Sequence, residues 1–461
     1  MKKITNGLKT PLMAALCAAL ALPGYVLAAE LPTSVVNSGK ATGLMQVYQL
    51  AVLHDATLAQ ARAQFESDQQ IVTTARASLL PQVKADASYF MTDSSIDTSD
   101  VNTRDASITL NQSLYQHESW ANYEKAQFGF EAAQTTLQTA EQTLILSVTE
   151  RYFDVLLANE NLILARTKET ADKTQLERAE ASAEVGLASK TEVLQAKSSY
   201  DLSRSDRISA ENRVDETHEN LMKLTGQAPT ELKKLPVAVN LPSVPYSLAS
   251  IEAVAERDNL SVKLANANLA SSQQEVEVQK GGYWPTVGLQ AKYSDTAFSD
   301  YSTSASVLTT RDRSAASVGV TVSMPLYSGG GTDSKVSAAR AQASASQQGL
   351  RNAREQARID ARVQLRNVQR GADLVAALRE AVNSNDAFLE AAEEGYKVGL
   401  QNLLDVLTAR TNQYNARKNL VEAMHSQVIT RLKLEATLGD LTTEDLVAFD
   451  GLLTQAPMFA K

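Results

Sequence analysis

The pattern of apolar and polar positions changes period in the same order in each half of this 461-residue chain. Residues 44–80 and 248–281 are rich in Ala and Gln and free of Gly and Pro until their ends, a composition that predicts helix. The period then drops to two. Val83, Ala85, Ala87, Tyr89 and Met91 alternate with Lys84, Asp86 and Ser88, and Ile108, Leu110, Gln112 and Leu114 alternate with Thr109, Asn111 and Ser113. In the second half Val287, Leu289, Ala291 and Tyr293 alternate with Thr286, Gln290 and Lys292. Val318, Val320, Val322, Met324 and Leu326 alternate with Ser317, Thr321 and Ser323. About ten residues of such alternation fit a transmembrane barrel strand and a soluble sandwich strand alike. Polar loops, 92–104 and 298–313, join the paired strands.

After each strand pair the period returns to that of a helix and stays there. Residues 116–184 contain no Pro and one Gly, and residues 332–395 contain Gly349, Gly371 and Gly395 but no Pro. At ~1.5 Å per residue each helix runs to roughly 100 Å, too long for a compact domain. Leu137, Ala140, Leu144, Val148, Tyr152 and Val155 form the apolar stripe of the first, and Leu350, Ala353, Ala357, Ala361, Leu365 and Val368 that of the second. The stripes read as coiled-coil-like seams, whose alanines let backbones approach closely.

The halves are copies of one unit. EVGLASKTEVL at 184–194 returns as KVGLQNLLDVL at 397–407, 213 residues later. Leu80-Pro81 matches Trp284-Pro285, Leu114-Tyr115 matches Leu326-Tyr327, and Gly226 matches Gly439. The expected layout is a signal peptide (1–28), a first repeat (29–226), a linker (227–247) whose prolines forbid helix, a second repeat (248–439) and a C-terminal tail (440–461). Gly186 and Gly399 mark the helix-pair breaks, where a left-handed residue is needed.

Lys2, Lys3 and Lys9 precede the apolar run 12–22 and a small-residue site ending at Ala28, the organisation of a secretory leader. Its removal takes three lysines and no acids, so the formal charge falls from −9 to −12. That charge argues against nucleic acid as a partner. The single cysteine, Cys17, lies within the leader, which leaves the mature chain no disulfide or thiolate site. Beyond the leader no apolar run is long enough for a helical span. The expected destinations are the periplasm, the exterior or an outer-membrane barrel. Four strands cannot close a barrel, and an open sheet edge is not tolerated in lipid, so a barrel must be completed by further copies. Trp120 and Trp284, with Tyr115, Tyr283 and Tyr327, fall at strand–helix junctions, the level of a membrane interface.

The duplicated Val-Gly-Leu…acid-Val-Leu break, the four strands, the two long helices and the stretch Glu393-Glu394-Gly395-Tyr396-Lys397-Val398-Gly399 resemble the TolC family of outer-membrane channel-tunnels over essentially the whole mature chain. The resemblance implies a mixed α and β membrane protein. Three chains would share a twelve-stranded β-barrel continuous with an α-helical coiled-coil tunnel in the periplasm. It implies a homotrimer in outer-membrane lipid that works with a periplasmic adaptor (membrane fusion) protein and an inner-membrane pump of RND, ABC or MFS type. The implied role is the passive exit duct of tripartite efflux or type I secretion, with a dedicated type I exit channel as the alternative. A secreted structural coiled coil without a pore is the rival from another class. The implied periplasmic latch falls on Tyr396, Glu393, Gln175, Glu192 and Gln401, where Gln401 replaces the family's Arg and Glu192 an Asp. The implied constriction ring falls on Asp405 and on Thr408, which replaces a second acid. A weaker latch and a less negative constriction are the expected consequences.

The residues themselves also admit plainer roles. Asp405 opens a helix, where an acid offsets the dipole, and Tyr396 could be a packed aromatic. The many charged residues of the helices read as solvated faces or i,i+4 pairs. His54, His117, His218 and His425 have no metal-ligand spacing, and Gly329-Gly330-Gly331 lacks the Lys and Ser/Thr of a phosphate loop. Neither enzymatic activity nor a cofactor is expected.

Overall fold

A computed structural model describes residues 41–92, 101–227, 231–236, 247–299 and 313–454. The predicted leader, the centres of both polar loops and three linker prolines (229, 242, 245) lie outside these residues. The first half forms α1 (Leu44–His54), α2 (Ala56–Ala77), β1 (Gln82–Thr92), β2 (Val101–Tyr115), α3 (His117–Glu184) and α4 (Lys190–Thr225). The second repeats the order as α5 (Leu248–Asp258), α6 (Leu260–Lys280), β3 (Thr286–Ser299), β4 (Arg313–Ser323), α7 (Gly331–Lys397) and α8 (Leu403–Leu438). A single 3₁₀ turn, Gly281–Tyr283, joins α6 to β3, and α9 (Thr443–Asp450) lies in the expected tail.

The entry helix of each half, expected as one piece, is two. Asp55 accepts from Leu58 N (2.7 Å), and Asn259 accepts from Ser261 N (2.9 Å). A short polar side chain that satisfies the freed N–H groups makes a new helix start cheap. The Asn259 amide also donates to Thr437 O (2.8 Å), which fixes the bend against α8.

Both long helices form almost as expected, with 68 residues in α3 and 67 in α7. Leu144, Val148, Tyr152 and Val155 of α3, and Leu350, Ala357, Ala361, Leu365 and Val368 of α7, are buried. The largest apolar cluster lies partway along them, where α1, α3, α8 and α9 converge on Leu44, Val47, Tyr152, Phe153, Leu420, Val428 and Leu446. Linker residues 231–236 close over it. Tyr152 Oη donates to Lys233 O (2.7 Å), Lys233 pairs with Asp450 (2.9 Å), and Lys234 pairs with Glu160 (2.9 Å).

The strands form one antiparallel sheet in the order β1-β2-β3-β4. Its register places Val83 opposite Leu110, Ala85 opposite Ile108, Ile108 opposite Tyr293, Leu289 opposite Val320 and Val287 opposite Val322. The four alternations therefore coincide on one face, and Lys84, Thr109, Lys292 and Ser317 share the other. Pairing runs further outward than the apolar pattern, to Asn102 opposite Ser299, because ladder bonds use backbone groups whatever the side chain. At the other end β4 stops at Ser323. Pro325 has no N–H to continue the ladder, so Met324 and Leu326 lie beyond the strand.

Candidate functional site: the sheet and the helix-hairpin tips

The apolar face of the sheet is bare. Val83, Met91, Val318, Val320 and Val322 are between 62% and 77% exposed, and no helix among the described residues covers them. The opposite face carries the cross-strand contacts Gln290 Nε2 to Asn111 Oδ1 (3.0 Å) and Thr296 Oγ1 to Asp105 Oδ1 (2.8 Å), and within β1 Lys84 pairs with Asp86 (2.7 Å). β1 has 11 residues, about 36 Å of extended chain, which when tilted matches an apolar band ~25 Å tall. β1 and β4 each have one partner, so both lateral edges are open within a chain. A face that needs apolar cover and two edges that need strands together specify a shared barrel in lipid.

At the far end, the repeated break is the same structure twice. Gly186 and Gly399 both have φ +76°, a conformation that costs a side-chain-bearing residue ~1–2 kcal/mol. Each turn is followed by a reciprocal cap. Glu192 accepts from Ser189 N (2.8 Å) while Ser189 Oγ accepts from Glu192 N (3.2 Å). Asp405 accepts from Asn402 N (3.1 Å) while Asn402 Oδ1 accepts from Asp405 N (3.0 Å). The acid of the repeated motif is thus the third helical residue of a capping box. Val185, Leu187, Val398 and Leu400 project from the two tips, 68–83% exposed.

The residues expected in the latch lie near one another at this end without bonding to each other in one chain. Tyr396 packs against two buried clusters, Ala179, Ala196, Leu403 and Leu407 in one and Ala392, Val406 and Ala409 in the other. Gln401 lies against Gly395, whose added Cβ would come within 3.1 Å of its Cγ. Gln175 is buried, and its Nε2, like Gln401 Oε1, has no hydrogen-bond partner among the described residues. Thr408 is exposed, with its hydroxyl donating to Leu404 O (2.8 Å).

Glu393 has a partner that the sequence reading did not single out. Arg410, 12% exposed, reaches Glu393 (2.8 Å) and Asp172 (3.3 Å), and so joins α7, α8 and α3. Asp172 is 1% exposed and also takes Lys168 Nζ (3.2 Å) and Ser199 Oγ (3.1 Å). Lys168 and Asp172 are the i,i+4 pair that the reading of helix charges allowed, but neither they nor Arg410 lie on a solvated face. The available signal was spacing. Ala165, Lys168, Asp172, Gln175 and Ala179 recur every three or four residues, and Arg410 follows Leu403 by seven. Polar residues in seam positions are buried, and buried charges are found paired.

The outer membrane efflux protein family model matches residues 47–227 and 253–440. The chain belongs to that family. It is 30% identical to the outer membrane protein TolC of Escherichia coli over 423 residues, covering 90% of this chain and 86% of that one. It is 26% identical to the proteases secretion protein PrtF of Dickeya chrysanthemi, covering 92% and 94%. The Campylobacter jejuni outer membrane channel CmeC superposes with a TM-score of 0.75 at 17% identity, covering 91% of this chain and 93% of that one. The protein is an outer-membrane channel of the efflux and type I secretion class, with its helical tunnel in the periplasm. Three chains pool their four strands each into a twelve-stranded barrel, and the open edges are closed in it.

Proposed function

We propose that this channel is the passive exit of a tripartite assembly whose inner-membrane pump supplies direction and energy through a periplasmic adaptor. The observation that carries the reading is the pair of apolar tips, Val185-Gly186-Leu187 and Val398-Gly399-Leu400. Water-exposed Leu at 83% on a hairpin end is costly to maintain and useful as a docking knob. Two tips per chain give six in a trimer, a ring on which an oligomeric adaptor can seat. The pump supplying that adaptor is of RND, ABC or MFS type, and the cargo is small molecules or secreted protein.

Leu187→Asp with Leu400→Asp tests the docking reading in a deletion strain complemented with the variant. The trimer and its bilayer conductance stay intact, while drug tolerance or the secreted-protein profile falls to that of the deletion. Full complementation by the doubly substituted channel would overturn it.

The same end of the molecule is proposed as the gate. Arg410 of α8 ties to α7 through Glu393 and to α3 through Asp172, while Tyr396 packs between the pairs. The buried, unpartnered amide atoms of Gln175 and Gln401 each cost the closed state about 1–3 kcal/mol. They support a latch looser than the family's Arg would give. Asp405 and Thr408 are proposed to line the narrowest point, with one carboxylate per chain there already engaged by a helix cap.

A further inference from the structure

Where the second repeat passes from helix to strand, Lys280, Tyr283, Trp284, Pro285, Met324 and Arg340 line an open depression of about 560 Å³. Its floor is apolar and aromatic, and its rim is cationic. Trp284 and Met324 are about half exposed, and Met324 directly follows the last residue of β4. The Trp284 ring is held from behind by His117, with centroids 5.7 Å apart.

The charges are unevenly spent. Lys280 Nζ gives one of its donors to Glu277 (2.7 Å), which leaves two. Tyr283 Oη donates to Asp333, which occupies that carboxylate. Arg340 has no ion-pair partner among the described residues, although it lies close enough to Tyr283 to act on its hydroxyl electrostatically. An unpaired guanidinium and a half-free ammonium above a Trp–Met floor are complementary to a phosphoryl group that carries an apolar tail. The level is right for one. The depression lies between the end of α6 and the start of β3, where the apolar band meets the periplasm and where interfacial Trp and Tyr are expected.

The duplication supplies an internal control. By the repeat alignment Lys280 corresponds to Arg76, Trp284 to Leu80, Met324 to Gln112, and Arg340 to Gln127 or Phe128. The first repeat thus keeps one cation, Arg76, but lacks the Trp and the second cation, and Gln112 there donates to Leu79 O (2.9 Å) instead.

We infer that Lys280, Arg340 and Trp284 form a binding site for the phosphate headgroup of a glycerophospholipid in the periplasmic leaflet of the outer membrane, one per chain and three per trimer. Basic pockets at such interfaces hold lipid headgroups, and each cation near the surface contributes about 1 kcal/mol, or roughly fivefold in affinity.

Native mass spectrometry of the detergent-purified trimer, titrated with phosphatidylglycerol, phosphatidylethanolamine, diacylglycerol or inorganic phosphate, tests the assignment. The phospholipids are expected to be retained up to three per trimer and diacylglycerol not. Arg340→Gln and Lys280→Gln should each weaken retention about fivefold, while Arg76→Gln leaves it unchanged. All three side chains are at the surface, and SDS-resistant trimer confirms each variant's fold. Undiminished retention in both Arg340→Gln and Lys280→Gln would overturn the site, as would equal retention of diacylglycerol. Saturation by inorganic phosphate that displaces the lipid would overturn the lipid as occupant.

Discussion

The His425 imidazole in α8 is 2% exposed, meets the Phe153 ring at 5.4 Å, and has no hydrogen-bond partner for either nitrogen among the described residues. Burial pushes its pKa down to about 4. The unfolded chain's imidazole titrates near ~6.5. Above that value both states are neutral and the group adds no pH dependence. As pH falls from there, the unfolded chain takes up a proton that the folded seam refuses, so stability is lost down to the folded pKa, by on the order of 3 kcal/mol. His425→Leu should therefore flatten the loss of thermal stability between pH 6.5 and 4, followed by circular dichroism. An unchanged slope in the variant would assign the acid sensitivity to other groups. Arg410 makes the opposite case, a buried charge that is paired. Removing one partner of a buried pair costs ~3–5 kcal/mol, and less here because Lys168 remains on Asp172. Arg410→Gln is expected to raise single-channel conductance by loosening the inner helix pair. Gln401→Arg is expected to lower it by supplying a charge to the latch. No change in either direction would remove both residues from the gate.

At the scale of elements, what the sequence made legible was what depends on local repetition. The two long helices, the four strands and the shared face of the sheet all follow from periods sustained over many residues. The breaks at Asp55 and Asn259 were missed because one capping side chain outweighs a helical composition that continues through it. The extension of β2 and β3 past their apolar residues was missed because backbone pairing leaves no mark in hydropathy. At the tips, the repeated Val-Gly-Leu identified the turns. The acid at 405 reads in the sequence as a charge at a helix start; that both it and Glu192 close capping boxes emerges only in the fold, as does the joining of Asp172, Arg410 and Glu393, which are far apart in sequence. The two turns differ little in isolation, since an added Cβ at Gly186 or Gly399 meets nothing within 4 Å. Alanine at either should therefore cost only the left-handed backbone term of ~1–2 kcal/mol. The paired substitution should double that, read as a lower unfolding midpoint with the trimer retained. A loss much larger than the sum would show that the turns hold more than their own conformation.

For the whole molecule, the physical demand is closure. One chain offers a four-stranded sheet with two open edges and a bare valine face, joined to helices of ~100 Å that must pack along their length. Both needs are met together when three copies close a barrel in the outer membrane and continue it as a tunnel. Purified protein recorded in a planar lipid bilayer, with its subunit number taken from the same sample by light scattering in detergent, tests this most directly. Uniform conductance steps from an SDS-resistant trimer, lost when heat separates the chains, are the predicted result. A detergent-free monomer that leaves the bilayer silent would contradict it.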